Sequence, residues 1–204
     1  MKIHSMRNLL TILLALCVTL GVSAAVDPEL GFDRQLEEPE VPSRLRTAVA
    51  ARMASVASEL LQDRFTAKAV RAGQVVEITI PCAELFEPNA NALRPSGEKR
   101  LSVLRKFIRL VDGAPMYKVV IAVHSDDTGD DQYRDMLTAL RAEAIEDYLL
   151  DTPDRPADSP CATYGLGSDE PLGSNATKAA RDRNRRVEIY LVPDTGLFTH
   201  LKNK

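Results

Sequence analysis

The stretch YKVVIAVHSDDTG, residues 117–129, joins a run of strand-forming residues to a short acidic loop. The run YKVVIAV is dense in β-branched residues and predicts a well-buried strand. Asp126 and Asp127 follow where this strand should end, and Gly129 allows the backbone to turn sharply there. In open α/β sheets the carboxyl ends of strands form an edge at which ligands commonly bind. The stretch therefore predicts a carboxylate at a candidate ligand site.

Helices and strands alternate on both sides of this stretch. Apolar residues at helical spacing predict helices over residues 43–63 (with Ser43 as N-cap), 101–111 and 131–150. In the last helix the apolar face would consist of Leu137, Leu140, Ala144 and Tyr148. Further strands are predicted over residues 65–71, 75–81, 162–167 and 186–192. The alternation predicts an α+β fold, an α/β sandwich in which helices pack on one face of a sheet.

The N-terminus has the pattern of an export signal. Lys2 and Arg7 precede an apolar run over residues 9–22, and small residues suited to cleavage end at Ala25. We therefore predict a signal peptide over residues 1–25. An uncleaved anchor is the alternative, whereas lipidation of Cys17 is disfavoured because Leu16 precedes it.

The rest of the chain divides by composition. Residues 26–42 are acidic and contain proline without clear periodicity, which predicts a disordered tether. Residues 43–74 would form an N-terminal helix and hairpin strand, residues 75–193 the main domain, and residues 194–204 a C-terminal tail.

Composition excludes several kinds of function. The chain carries 26 Lys and Arg against 29 Asp and Glu, and this mild acidity argues against nucleic acid or an anionic membrane as partner. Three histidines are too few and too scattered for a metal-ligand cluster, and no motif for another cofactor occurs. No serine stands in a G-x-S-x-G setting, so hydrolase chemistry has no support. An enzyme is not expected and is the weakest alternative, since it rests only on Asp126 near His124. The exported cysteines Cys82 and Cys161 could pair or stay separate, since no spacing rule decides.

A guanidinium is available to answer the charge of Asp126. Arg141 follows 15 residues later, about two turns inside the predicted helix, from where a mid-helix side chain can approach the loop. A carboxylate beside a guanidinium is a receptor for a zwitterion, because the first takes an ammonium and the second a carboxylate. The plain alternatives are a structural Asp–Arg ion pair or two unrelated surface charges.

A series of motifs runs in order from the end of the strand at residues 117–123 to the last predicted strand. Its positions are His124, Ser125, Asp126, Gly129, Tyr133, Leu137, Thr138, Arg141, Ala142, Gly165, Pro171, Asn175, Thr177, Arg181 and residues 184–188. The order of these motifs resembles the OmpA-like peptidoglycan-binding domain, a family that includes the OmpA C-terminal domain, the Pal lipoproteins and MotB. Upstream, LFEPNANALRPSGEKRL resembles the segment that leads from the first strand of the family to its first helix. The resemblance covers residues 75–193 and implies a β-α-β-α-β-β sheet.

The resemblance implies a ligand: the meso-diaminopimelate of the peptidoglycan stem peptide, whose side chain ends in an amino-acid head group. The binding Asp and Arg of the family fall on Asp126 and Arg141. Further contacts fall on Thr128, Asn89 and Arg185. This chain departs from the pattern where Arg134 replaces an Asn beside the expected site, and where Val123 and Ala180 replace glycines.

The sequence therefore predicts a non-catalytic periplasmic protein, associated with the outer membrane, that binds peptidoglycan and helps to anchor the cell envelope. The alternative is an OmpA-like module that contacts an envelope protein partner instead, a reading motivated by Arg134 and the helix at residues 43–63. Within NRR, Arg185 is expected to face the site and its neighbours to be surface groups. His124 is expected to pack at the strand end. No porin-like alternation precedes the domain, so no transmembrane barrel is expected.

Overall fold

The computed structural model describes residues 28–203, apart from residues 109, 112 and 152–159. The predicted signal peptide at residues 1–25 and Cys17 lie outside the described residues. The described residues from Asp33 onward form one compact unit. The helices are α1 (Pro28–Glu37), α2 (Arg46–Gln62), α3 (Cys82–Leu85), α4 (Pro95–Ser102), α5 (Arg105–Ile108), α6 (Asp131–Leu150), α7 (Lys178–Asn184) and α8 (Thr195–Lys202). The strands are β1 (Thr66–Val70), β2 (Val75–Pro81), β3 (Leu110–Val111), β4 (Ala114–Pro115), β5 (Tyr117–Val123), β6 (Cys161–Gly165) and β7 (Arg186–Pro193).

A five-stranded sheet in the order β1-β2-β7-β5-β6 organises this unit. Strand β7 is central and pairs antiparallel with β2 and β5, whereas β5 and β6 are parallel. In this register Pro81 lies opposite Arg186, and Val123 lies between Val187 and Gly165. The ends of β2, β5 and β6 and the start of β7 therefore meet at one edge of the sheet.

Alternate residues of the three central strands form the core with helices α2 and α6. On α2 the buried residues are Val49, Met53, Val56, Ala57 and Leu60, which pack into the same cluster as Ile78, Ile121 and Ile189 of the sheet. The predicted α+β fold is confirmed. No helix in the described part of the chain is long and apolar enough to span a membrane.

The N-terminal segment differs from its prediction. Residues 28–37, expected to be disordered, form helix α1, and Leu36 is buried. Arg71 pairs with Glu37 at 2.9 Å, and Lys118 Nζ donates to Gln35 Oε1 at 3.1 Å. Since Lys118 alternates with the core residue Val119 along β5, this segment contacts the sheet face opposite the core. These contacts are tertiary, so local periodicity did not reveal them.

The predicted division between residues 74 and 75 is not a boundary between compact units. It falls at the turn of the β1–β2 hairpin, and residues 33–204 form one unit. Ser43 does not act as an N-cap, because it lies within a short 3-10 turn, Ser43–Leu45, that has no side-chain capping bond.

Two further segments also depart from prediction. The helix expected over residues 101–111 breaks after Ser102, and Leu110–Val111 pairs with Ala114–Pro115 across Gly113, which has φ +78°. The predicted tail at residues 194–204 contains the ordered helix α8, because Leu197 and Phe198 are buried in the core cluster and Asp194 caps the helix.

Helix α6 presents a different face to the core than predicted. Its buried residues include Thr138, Arg141, Ala142, Ile145 and Leu149, whereas Leu140 remains 37% exposed. The helix lies very close to β6: an ideal Cβ on Gly165 would come within 2.6 Å of Ala139 Cα. Backbone proximity rather than apolar periodicity thus selects the face, and it turns Arg141 inward.

A charged cleft at the edge of the sheet

A cleft of about 790 Å³ opens at the edge where β2, β5 and β7 meet. Its walls are the segment after β2, the loop after β5, the start of α6 and helix α7. All of the predicted site residues line it: Asn89, Asp126, Thr128, Arg141 and Arg185. The fold therefore brings together side chains that are up to 96 positions apart in the sequence.

Asp126 is buried at the floor of the cleft, with only 4% of its surface exposed. Its Oδ1 accepts a hydrogen bond from the Thr128 backbone N–H at 2.9 Å, and its Oδ2 forms an ion pair with Arg185 Nη1. The start of the loop is fixed because Ser125 N–H donates to the Gly167 carbonyl at 2.6 Å. The carboxylate is therefore held in one orientation toward the cleft.

Arg141 is 5% exposed and enters the cleft from α6. Its Nε donates to the Ala90 carbonyl at 2.8 Å and its Nη2 to the Glu87 carbonyl at 3.3 Å. The guanidinium also lies 4.9 Å from the Phe86 ring centre. Within the described part of the chain, no carboxylate lies within ion-pair distance of Arg141. A direct Asp126–Arg141 ion pair is therefore absent from the described structure, and the charge of Asp126 is balanced by Arg185.

Arg185 bridges two acids at the mouth of the cleft. One of its Nη atoms pairs with Asp126 and the other with Asp182, and Lys178 Nζ lies 2.8 Å from Asp182. Its side chain is 36% exposed, so solvent reaches it. The guanidinium thus has a second anionic partner outside the floor of the cleft.

Asn89 and Thr128 lie on the exposed rim. Asn89 has φ +58°, in the left-handed region that asparagine tolerates better than most residues. This conformation reverses the chain between β2 and α4 and places Asn89 across the cleft from the loop after β5.

Arg134, the departure noted from the sequence, also lines the cleft. Its Nη1 donates to the Gly129 carbonyl at 2.6 Å and lies 3.3 Å from the Asp127 carbonyl, while Nη2 pairs with Asp131. Asp130 caps α6 by accepting from the Tyr133 N–H at 3.1 Å.

A buried polar cluster that the sequence did not reveal lies next to the cleft. His124 Nε2 is 3.4 Å from Glu188 Oε2, and Glu188 accepts from Arg186 Nε and Tyr190 Oη at 2.6 Å each. Arg186, expected at the surface, is 4% exposed. Burial favours a raised pKa for Glu188, but its interactions with His124 and Tyr190 and the charge of Arg186 lower it to about 2.

Other residues of the motif have structural roles. Asn184 Nδ2 donates to the Gly173 carbonyl at 2.9 Å and to Asn175 Oδ1 at 2.7 Å, and the Thr177 side chain caps α7. Cys82 is buried and is not joined to Cys161 in a disulfide. Burial raises the pKa of the Cys82 thiol to about 11.

Comparison with known proteins identifies the group to which this fold belongs. The chain is 38% identical over 89 residues to the peptidoglycan-binding protein ArfA of Mycobacterium tuberculosis, covering 44% of this chain and 27% of ArfA. It is 34% identical over 110 residues to the outer-membrane lipoprotein YfiB of Pseudomonas aeruginosa, covering 52% of this chain and 61% of YfiB. A solved MotB-like protein from Desulfovibrio vulgaris superposes with a TM-score of 0.61 at 24% identity, over 74% of this chain and 99% of that one.

The mixed sheet with a charged cleft at its edge defines an α+β domain of the OmpA-like class. Residues 85–185 match the OmpA family, and the domain to which they contribute is OmpA-like. The alignments span less than two thirds of ArfA and of YfiB, so the match concerns this domain.

Proposed function

We propose that this protein is a non-catalytic peptidoglycan-binding module whose cleft takes the amino-acid head group of meso-diaminopimelate in the stem peptide. The observation that carries the proposal is that Arg141 is buried in the cleft and has no carboxylate partner among the described residues. In the described part of the chain, the buried guanidinium of Arg141 contacts backbone carbonyls, the Phe86 ring and the Cys82 thiol, and none of these partners is a carboxylate. A buried cation without a counter-charge is costly, so an anionic ligand would be favoured there.

The complementary charge of the ligand would bind Asp126. The ammonium of the head group would share that carboxylate with Arg185, or replace Arg185, which also contacts Asp182. Thr128, Asn89 and Arg185 would contact the head group from the rim. Each charge-assisted hydrogen bond would contribute about 1.5–3 kcal/mol, and no bond in the ligand would be broken.

The relatives support this proposal. ArfA is named as a peptidoglycan-binding protein and YfiB as an outer-membrane lipoprotein. Together with the signal peptide predicted at residues 1–25, they support a periplasmic protein that helps to anchor the cell envelope. Enzymatic activity is not part of the proposal, and soluble fragments released from peptidoglycan by the purified protein would contradict it.

The test is co-sedimentation of residues 26–204 with insoluble, diaminopimelate-type peptidoglycan. Wild type should enter the pellet, whereas Asp126→Ala and Arg141→Ala should stay in the supernatant. The matched controls are Asp127→Ala and Arg183→Ala, since both side chains are exposed and neither lines the cleft. Circular dichroism would establish that each variant is folded. Sedimentation of either cleft variant at the wild-type level would refute the assignment.

A second candidate is a module that contacts an envelope protein. The helix at residues 43–63 no longer motivates it, because α2 is packed into the core. The observation in its favour is an exposed apolar stripe on α6, formed by Tyr133, Met136 and Leu140, which are 40%, 52% and 37% exposed. A folded wild-type protein that fails to sediment with peptidoglycan would favour this candidate.

A further inference from the structure

We infer that Arg134 is a positioning residue that holds the loop after β5 in the form that presents Asp126 to the cleft. The inference rests on the proposed function for its ligand, but its structural part can be tested without one. In the sequence, Arg134 motivated the alternative of a protein partner, because it replaces an Asn of the family pattern beside the expected site. Its contacts indicate another role.

The guanidinium of Arg134 is turned toward the loop backbone. The residue Arg134 is 9% exposed, and its Nη1 lies 2.6 Å from the Gly129 carbonyl and 3.3 Å from the Asp127 carbonyl. These two carbonyls flank Thr128 on either side. One side chain therefore contacts the peptide unit that joins Asp127 to Thr128 and the unit that joins Gly129 to Asp130.

The peptide geometry passes this restraint on to Asp126. The Asp127 carbonyl and the Thr128 N–H belong to the same peptide unit, which is planar and rigid. Arg134 contacts the oxygen of that peptide unit, which is the Asp127 carbonyl. The N–H of the same unit, which is the Thr128 N–H, donates to Asp126 Oδ1 at 2.9 Å. Because carbonyl and N–H point in opposite directions in a trans peptide, fixing the first aims the second at the Asp126 carboxylate.

Helix stability does not account for an arginine here. Arg134 lies near the positive end of the α6 dipole, where a cation is unfavourable. Asp131 compensates by pairing with Nη2. The Nε atom is buried without a hydrogen-bond partner, which is an added cost. The hydrogen bonds of Arg134 with the Asp127 and Gly129 carbonyls offset these unfavourable contributions.

The first arm of the test measures the loop without ligand. Amide hydrogen exchange of Thr128 would be followed by NMR in the purified full chain, in Arg134→Gln and in Arg134→Lys, with Arg183→Gln as control. Exchange in Arg134→Gln should accelerate about tenfold or more, because a charge-assisted hydrogen bond to the loop is lost. Arg134→Lys should lie in between, since one ammonium can still reach a carbonyl. An exchange rate within about twofold of wild type in Arg134→Gln would overturn the inference.

The second arm measures binding of free meso-diaminopimelate by calorimetry. Affinity should fall in the same order as the loop loosens: wild type, Arg134→Lys, then Arg134→Gln, the last by about tenfold. A loss of affinity with unchanged Thr128 exchange would mean that Arg134 acts through its charge on the ligand, and would overturn positioning. If wild type binds nothing, the proposed function fails, while the exchange arm still decides whether Arg134 holds the loop.

Discussion

Asp126 and Arg185 form an ion pair whose two members differ in freedom. The carboxylate is buried and also held by the Thr128 N–H, whereas the guanidinium is 36% exposed and reaches Asp182 with its other Nη. If a ligand ammonium arrives, Arg185 is therefore the partner that can move, and Asp126 the one that stays. The pair gives the buried carboxylate a cationic partner within the cleft.

Replacing Asp126 by Asn should separate stability from binding. Asn keeps an oxygen for the Thr128 N–H, and Arg185 keeps water and Asp182, so we expect the free energy of unfolding to fall by only about 1 kcal/mol. Affinity for meso-diaminopimelate should fall about tenfold or more, because the ammonium loses its charged partner. Urea unfolding and calorimetry measure the two effects, with Asp127→Asn as control. A large loss of stability would indicate a mainly structural Asp126.

Arg141 should contribute to stability as well as to binding. In Arg141→Ala the Ala90 and Glu87 carbonyls lose their donors, so we expect a loss of about 1–3 kcal/mol in the free energy of unfolding. Arg141→Lys keeps the charge but not the planar donor geometry, so its free energy of unfolding should lie between those of wild type and Arg141→Ala. Urea unfolding checks this, with the exposed Arg183→Ala as reference. Two variants as stable as wild type would show that the loop contacts contribute nothing.

The sequence predicted which residues line the cleft better than how they are paired. Motif order and resemblance singled out Asp126, Arg141 and Arg185. The sheet register brings the segments that carry them to one edge, where all three line the cleft. Pairing depends on side-chain direction. The rotation of helix α6 about its axis buries Arg141, and the close approach of Gly165 to the helix backbone sets this rotation. Such a tertiary contact leaves no periodic signal in the sequence.

The fold was predictable where a segment forms its own pattern. Strand β5 and the β1–β2 hairpin have clear local signals and appear as expected. Helix α1 and helix α8 depend on contacts with distant residues. Lys118 contacts Gln35 near the end of α1, and Gly196 of α8 packs closely against Pro115. The buried cluster at Glu188 was also missed. Arg186 and Glu188 lie in β7, and apolar-polar alternation alone predicts that charged residues of a strand lie on a half-exposed face.

Glu188 should make stability depend on pH in the acid range. Its pKa in the folded protein is about 2, against a usual value of 4.5, so the folded state binds the proton less well than the unfolded state. The stabilisation is present above pH 4.5 and is lost as pH falls toward 2, on the order of 3 kcal/mol at most. Urea unfolding across this range should show a smaller pH slope for Glu188→Gln than for wild type. Equal slopes would contradict the assignment.

The contact between β6 and α6 should be intolerant of a single methyl group. An ideal Cβ on Gly165 would lie 2.6 Å from Ala139 Cα and 2.8 Å from the Thr138 carbonyl carbon, and backbone atoms cannot yield as a flexible side chain can. We expect Gly165→Ala to lower the free energy of unfolding by about 1–3 kcal/mol.

Gly173→Ala is the matched control, since no atom lies within 4 Å of the Cβ that it would add. Thermal unfolding of both variants should show a drop for Gly165→Ala alone. Because the approach of α6 to β6 also directs Arg141 into the cleft, Gly165→Ala should in addition weaken binding of meso-diaminopimelate in the protein that remains folded. Equal melting temperatures for the two variants would mean that the helix can move away from the strand without cost, and that the close approach does not set the position of Arg141.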